Sequence, residues 1–159
     1  MKIDKFWNGL KRISDDGEYV LEGDLVSEET IEIVLDNCFV VKGRIESKES
    51  IIVRCGIEAG EGIKAGKGIK AGWGIKAGKS INAGGGISAG DDINAGESIN
   101  AGDDINAGES INARTFIDCQ KRIFAGLSVF HASKNCVKTI ECENLKNGEI
   151  CFGDLVIVK

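Results

Sequence analysis

Ile57-Glu58-Ala59-Gly60-Glu61-Gly62 is followed by Ile63-Lys64-Ala65-Gly66-Lys67-Gly68, and then by Ile69-Lys70-Ala71-Gly72-Trp73-Gly74. The pattern I-x-A-G-x-x runs nine times without a gap between Ile57 and Gly108. In an extended chain Ile and Ala, two residues apart, point to one side, and the Lys, Asn, Glu or Ser between them points to solvent. The Gly after Ala and the small or acidic residues that close each hexad are turn formers. Each hexad is therefore a short strand plus a corner. A helix is excluded, because a period of six places successive Ile residues about 240° apart around a helix axis. Gly is also unfavourable inside helices.

One six-residue strand unit cannot stand alone, so successive turns of chain must stack at about 4.8 Å and pair strand on strand. The outward charges test how many hexads make one turn. At a spacing of 18, Glu58–Lys76, Glu61–Lys79, Lys79–Glu97 and Asp103–Lys121 are opposite pairs, and only Asp91–Glu109 is a like pair. At 12, like pairs dominate, among them Lys64–Lys76, Lys67–Lys79 and Asp91–Asp103. Stacked like charges destabilise a sheet. Two strands per turn is disfavoured, while a spacing of 24 also passes this test. With three strands per turn, Asn94 stacks on Asn112 and Asn82 on Asn100, where amide side chains can bond along the stack.

The register extends more loosely through Ile111, Ile117, Ile123 and Val129, and backwards through Ile51, Ile45, Phe39 and Ile33. The column is thus expected over residues 33–134, with an N-terminal cap over 1–32 and a C-terminal cap or oligomer contact over 135–159. Ile3, Phe6, Trp7, Leu10 and Ile13 fall at helical spacing and predict a short helical cap. Lys146-Asn147-Gly148 sits between two strand-like runs, Val137 to Leu145 and Glu149 to Val158, and predicts a β-hairpin cap.

The hexads resemble the left-handed β-helix family, whose usual pattern places a bulky aliphatic before Gly and a small residue at the other inward slot. Here the two inward sizes are exchanged. The resemblance implies an all-β, single-stranded parallel β-helix, left-handed and three-sided. More specifically, Gly56-Ile57-Glu58-Ala59-Gly60, Arg122-Ile123-Phe124-Ala125-Gly126-Leu127 and Gly153-Asp154-Leu155-Val156 resemble short repeat proteins of phages and prophages of Gram-positive bacteria. That likeness covers roughly residues 50–159 and implies a phage setting.

Composition narrows function. The 159 residues carry a net charge of −5, which opposes general nucleic-acid binding. The start Met1-Lys2-Ile3-Asp4-Lys5 has no apolar run of leader length, and no stretch approaches a membrane span. The expected location is the cytoplasm, that of the host cell if the chain is phage-encoded. Six cysteines show no C-x-x-C spacing and His131 is the one imidazole, so neither a zinc site nor a disulfide framework is expected. No cofactor is expected.

Acyltransferases of the resembled fold use a histidine base, yet His131 lies in the last, degraded hexad. Catalysis is therefore a remote alternative, and no catalytic residue is assigned. Asp91-Asp92 and Asp103-Asp104 look like acid or metal pairs, but a separation of 12 puts them on different sides. Candidate binding residues come from two features. One is a charge split: Lys64, Lys67, Lys70, Lys76 and Lys79 form a basic band, while Asp91, Asp92, Asp103 and Asp104 mark an acidic one. The other is an apolar pair, Trp73 and Leu127, at one repeat position three turns apart.

These features point to a non-enzymatic interaction protein of phage type that inhibits a host antiviral defence. It would be anti-CRISPR-like, or would sequester a nucleotide signal at its Lys band. The partner would be a host protein, such as a nucleic-acid-binding defence protein, or a small nucleotide. Neither a membrane nor general nucleic acid is an expected partner. Packing of flat sides into homo-oligomers, dimers or trimers, is expected beside it. A structural or trimerisation module is the alternative.

Overall fold

A computed structural model describes residues 1–4, 6–7, 11–13, 18–126 and 138–158. Short parallel strands wind into a three-sided β-helix, and no helix occurs among the described residues. Each repeat strand buries its first and third residues and turns the second outward, as in Ile63–Ala65, Ile69–Ala71 and Ile75–Ala77. Each strand pairs with the one 18 residues on: Ile63 with Ile81, Ile69 with Ile87, Ile75 with Ile93. Three strands therefore make one turn, and four are excluded.

We call the sides one, two and three, passing through Ile69–Ala71, Ile63–Ala65 and Ile75–Ala77 respectively. Sides one and two join into one hydrogen-bonded sheet because the ten-residue strand Phe116–Ala125 runs round the corner between them. The corners are bonded as well: Gly78 N–H donates to Ala59 C=O at 3.0 Å, and Lys79 N–H to Glu61 C=O at 2.9 Å. Within the column the backbone thus meets most of its hydrogen-bonding need by stacking. The core is a column of Ile and Ala. The Ile residues from Ile63 to Ile123 are all 1 % exposed or less.

The column reaches beyond residues 33–134 at both ends. Below Phe39 the pairing distance is 20 rather than 18: Tyr19 with Phe39, Leu25 with Ile45, Ile31 with Ile51. The corner of residues 34–38 accounts for the difference, since it has five residues where a regular hexad has three. Leu35 from that longer corner is buried in the core. Ile33 is therefore the second inward residue of its strand, and Ile31 is the first.

Among the described residues the helical cap expected over residues 3–13 is not formed. Lys2–Ile3 is a strand parallel to Ile31–Ile33, and Lys11–Ile13 is a strand antiparallel to Glu18–Leu21. Open strand edges at the column's end offer unpaired backbone groups, and pairing with them outweighs the helical spacing of a short segment. Trp7 still packs against the core, and Ile3 is fully buried.

The expected C-terminal hairpin is also replaced. Lys146, Asn147 and Gly148 lie within one strand, Asn144–Phe152, which runs parallel to Phe116–Ala125. Asp154–Ile157 then runs parallel to Thr139–Cys142 on side three. The Asn-Gly signal marks a corner of the last turn. Gly148 has φ +122°, and a Cβ there would meet Ile123 Cδ1 at 2.7 Å. On side three the pairing distance rises from 18 to 29 at Ile111–Ile140, an increase equal to residues 127–137, which lie outside the described residues. Leu127 and His131 fall there.

Candidate functional site

Period 18 decides which candidate residues meet. Lys64, Lys67, Lys70, Lys76 and Lys79 occupy one turn of the column, so they form a girdle round all three sides rather than a patch. Four of the five are ion-paired to the turn below. Lys64 meets Glu46 at 3.2 Å, Lys67 meets Glu49, Lys76 meets Glu58 at 3.0 Å and Lys79 meets Glu61 at 3.2 Å. Lys70 instead stands over Ile52 and beneath Ser88 on side one. The basic band is therefore largely neutralised by a ring of glutamates. Two of these, Glu46 and Glu49, sit in the looser hexads before the clean repeat.

The two aspartate pairs lie on different corners, as their separation of 12 requires. Asp103 and Asp104, between sides two and one, hold Lys121 at 2.6 Å and Arg122 at 2.9 Å. Arg122 bonds Asp104 through Nε, through a terminal nitrogen and through its backbone N–H, which keeps the Asp104 carboxyl below the usual carboxylate range. Asp92, between sides one and three, accepts from the Ser110 hydroxyl at 2.5 Å and the Ser110 N–H at 2.9 Å. Among the described residues no group of three or more His, Cys, Asp or Glu side chains gathers as a metal site.

One corner does combine candidates. Trp73 and Asp91 are consecutive rungs of the corner between sides one and three, tied by the Gly90 N–H to Trp73 C=O bond of 3.1 Å. Glu109 is the next rung, its N–H bonded to Asp91 C=O. The Trp73 ring lies on a corner flanked by glycines and is 45 % exposed. Beside this corner an open groove runs along side three, and Glu18, Glu58, Asp91 and Asp92 line it with Lys76 and Cys38. Since Lys76 is already paired to Glu58, the groove is acidic. Burial, opposed by a hydrogen bond with Gly56 and reinforced by the Glu18, Glu58 and Asp91 carboxylates, raises the Cys38 thiol above its ordinary value. Burial likewise pushes its neighbour Cys55 up to about 11, so neither is an activated nucleophile.

Trp73, Asp91 and Asp92 are thus brought together, Lys70 shares a groove on side one with Asp103 and Asp104, Lys64 shares one on side two with Lys79, and Lys67 lines neither. Glu18 and Glu58 join the groove without having been named as binding candidates from the sequence. Glu58 was already paired with Lys76 by its 18-residue offset, whereas Glu18 belongs to a turn whose offset is 20. No helix among the described residues is long and apolar enough to cross a membrane. No family model matches the chain, and no curated protein or solved structure shows significant similarity to it.

Proposed function

We propose that this protein is a non-enzymatic binding protein whose Trp73 corner and adjoining acidic groove dock on a basic protein surface. Its setting, on this reading, is that of a phage-type inhibitor of host defence. It would act in the host cytoplasm on a nucleic-acid-binding defence protein, in the manner of an anti-CRISPR. The observation that carries the reading is the placement of an exposed Trp one rung from Asp91, beside four carboxylates on one side. An aromatic anchor with a charged rim is the usual make-up of a protein-binding hot spot. A rigid β-helix offers that surface with little ordering to be done on binding.

The nucleotide-sequestering variant draws less support, because four of the five girdle lysines already hold glutamates. The structural or trimerisation module is the competing outcome. The test is plaque formation by a targeted phage on hosts carrying an active RNA-guided nuclease or another nucleic-acid-targeting defence. Wild-type protein is expected to restore plaques and to bind the purified defence protein with an affinity that falls as salt rises. The Trp73→Ala, Asp91→Lys double variant should lose both, and Lys64→Gln should lose neither. Absence of protection against every such defence, with no binding, would return the reading to a structural module.

A further inference from the structure

The two ends of the column are built differently. At the N-terminal end Lys2–Ile3 closes side one and Lys11–Ile13 closes side three. There the Met1 amino group bonds Thr30 C=O at 2.6 Å and pairs with Glu29 at 3.5 Å. The inward residues of that end, Ile3, Leu25 and Ile31, are buried. At the C-terminal end nothing comparable occurs among the described residues. Asp154–Ile157 pairs only with Thr139–Cys142, and Asn144–Phe152 only with Phe116–Ala125, so both outer edges lack a strand partner.

The side chains show the same contrast. Leu155 and Ile157 occupy the inward register of Ile140 and Cys142, both 0 % exposed, yet are themselves 41 % and 51 % exposed. They stand at core positions with no turn above them among the described residues.

We propose that a second copy of this chain docks on this terminal turn, forming a two-fold, end-to-end dimer through Leu155, Ile157, Ile150 and the free edges of the last two strands. The exposed surface is a cross-section of the column itself, an apolar triangle rimmed by unpaired backbone groups. Throughout this molecule such a section is covered by another turn of the same column. A second copy supplies a fully open section at its own C-terminal end, whereas at its N-terminal end sides one and three are already covered and only Leu25–Ser27 on side two keeps a free edge among the described residues. That makes the contact isologous, a closed dimer instead of a filament. The rim allows it: Lys146 and Glu149 on one strand and Asp154 on the next give two facing copies charges of both signs. Antiparallel apposition of the two edges would also satisfy their free N–H and C=O groups. This inference does not rest on the function proposed above, which concerns the corner of Trp73.

Light scattering coupled to size exclusion, at tens of micromolar chain, should give about 34 kDa, twice the 16.9 kDa of one chain. Leu155→Lys with Ile157→Lys should return the mass to 16.9 kDa with an unchanged far-UV spectrum, while Trp73→Ala stays dimeric. Small-angle scattering of the wild-type dimer should give a longest dimension about twice that of a single column. A monomeric or trimeric wild type, a dimer that survives the double substitution, or a dimer no longer than one column would each overturn the proposal. The last measurement needs only the wild-type chain, so it stands even if the variant fails to fold.

Discussion

The glycine that follows each inward Ala is held by a single contact. None of the corner glycines of the nine regular repeats has positive φ, so the demand there is for space and not for left-handed backbone. A Cβ on Gly84 would lie 2.1 Å from the Gly66 carbonyl oxygen, and one on Gly96 would lie 2.1 Å from that of Gly78. In the regular repeats each corner closes against the turn below with that hydrogen where a side chain would stand. Arg114 takes the same position above Gly96, and its N–H to Ala95 C=O bond is 3.3 Å long against 3.0 Å for Gly96 to Ala77. Gly85, one residue along, is different: a Cβ there would meet nothing closer than 3.4 Å. Gly84→Ala is therefore expected to cost about 1–3 kcal/mol through forced backbone displacement. Gly85→Ala should gain about 0.4–1 kcal/mol by restricting the unfolded chain. Urea unfolding of the two variants beside wild type checks both signs, and equal effects would refute the distinction.

Outward positions organise each side as a set of ladders. Asn100 Nδ2 donates to Asn82 Oδ1 at 2.8 Å, and Asn112 Nδ2 to Asn94 Oδ1 at 2.8 Å. Ser80 and Ser98 continue the pattern at a corner with hydroxyls 3.0 Å apart. The Asp104–Arg122 rung titrates. Because Arg122 holds the Asp104 carboxyl below its ordinary value, the folded state binds that proton less readily than the unfolded chain. The contribution is then complete above the ordinary carboxylate value of about 3.9 and is lost as pH falls through the depressed one. Asp104→Asn should lower the urea midpoint at pH 7, and the gap to wild type should close progressively below about pH 4. A gap that persists at pH 2 would mean that the pair is not its source. These ladders also mark how far the sequence could be read. Ile, Ala and the outward residues repeat at a fixed step, so strand and facing followed from Ile57 to Ile123, while the rung partner stayed open between steps of 18 and 24 until the pairing was seen. Where the step changes, at the long corner holding Leu35 and past Gly126, periodicity loses its hold. The helical spacing of Ile3 to Ile13 and the Asn147-Gly148 signal were local cues, and open strand edges overrode both. The acidic groove was half legible, because Asp91 and Asp92 stand in the repeat while Glu18 reaches them through a 20-residue turn.

For the whole molecule, stability should be a sum over turns, since each turn touches only its neighbours. Removal of residues 63–80 takes out one complete turn and leaves every following strand on its own side. Ile81 would then stack on Ile45, Ile87 on Ile51 and Ile93 on Ile57, with inward Ile over inward Ile throughout. The deletion abolishes the four ion pairs of the girdle and brings Glu97 over Glu61. Surface pairs contribute little each, so this loss is small beside the intact core. The shortened chain should keep a β-type far-UV spectrum and unfold in one transition at a lower urea concentration, with a smaller m-value for the smaller surface exposed. Deletion of Gly85 and Gly86 alone would be far worse. It collapses one corner from three residues to one, so the strands on either side cannot both reach the turn below. Circular dichroism of the two deletions, with 18 residues removed in one and two in the other, separates a molecule built turn by turn from a globular core. A globular core would tolerate the smaller loss better.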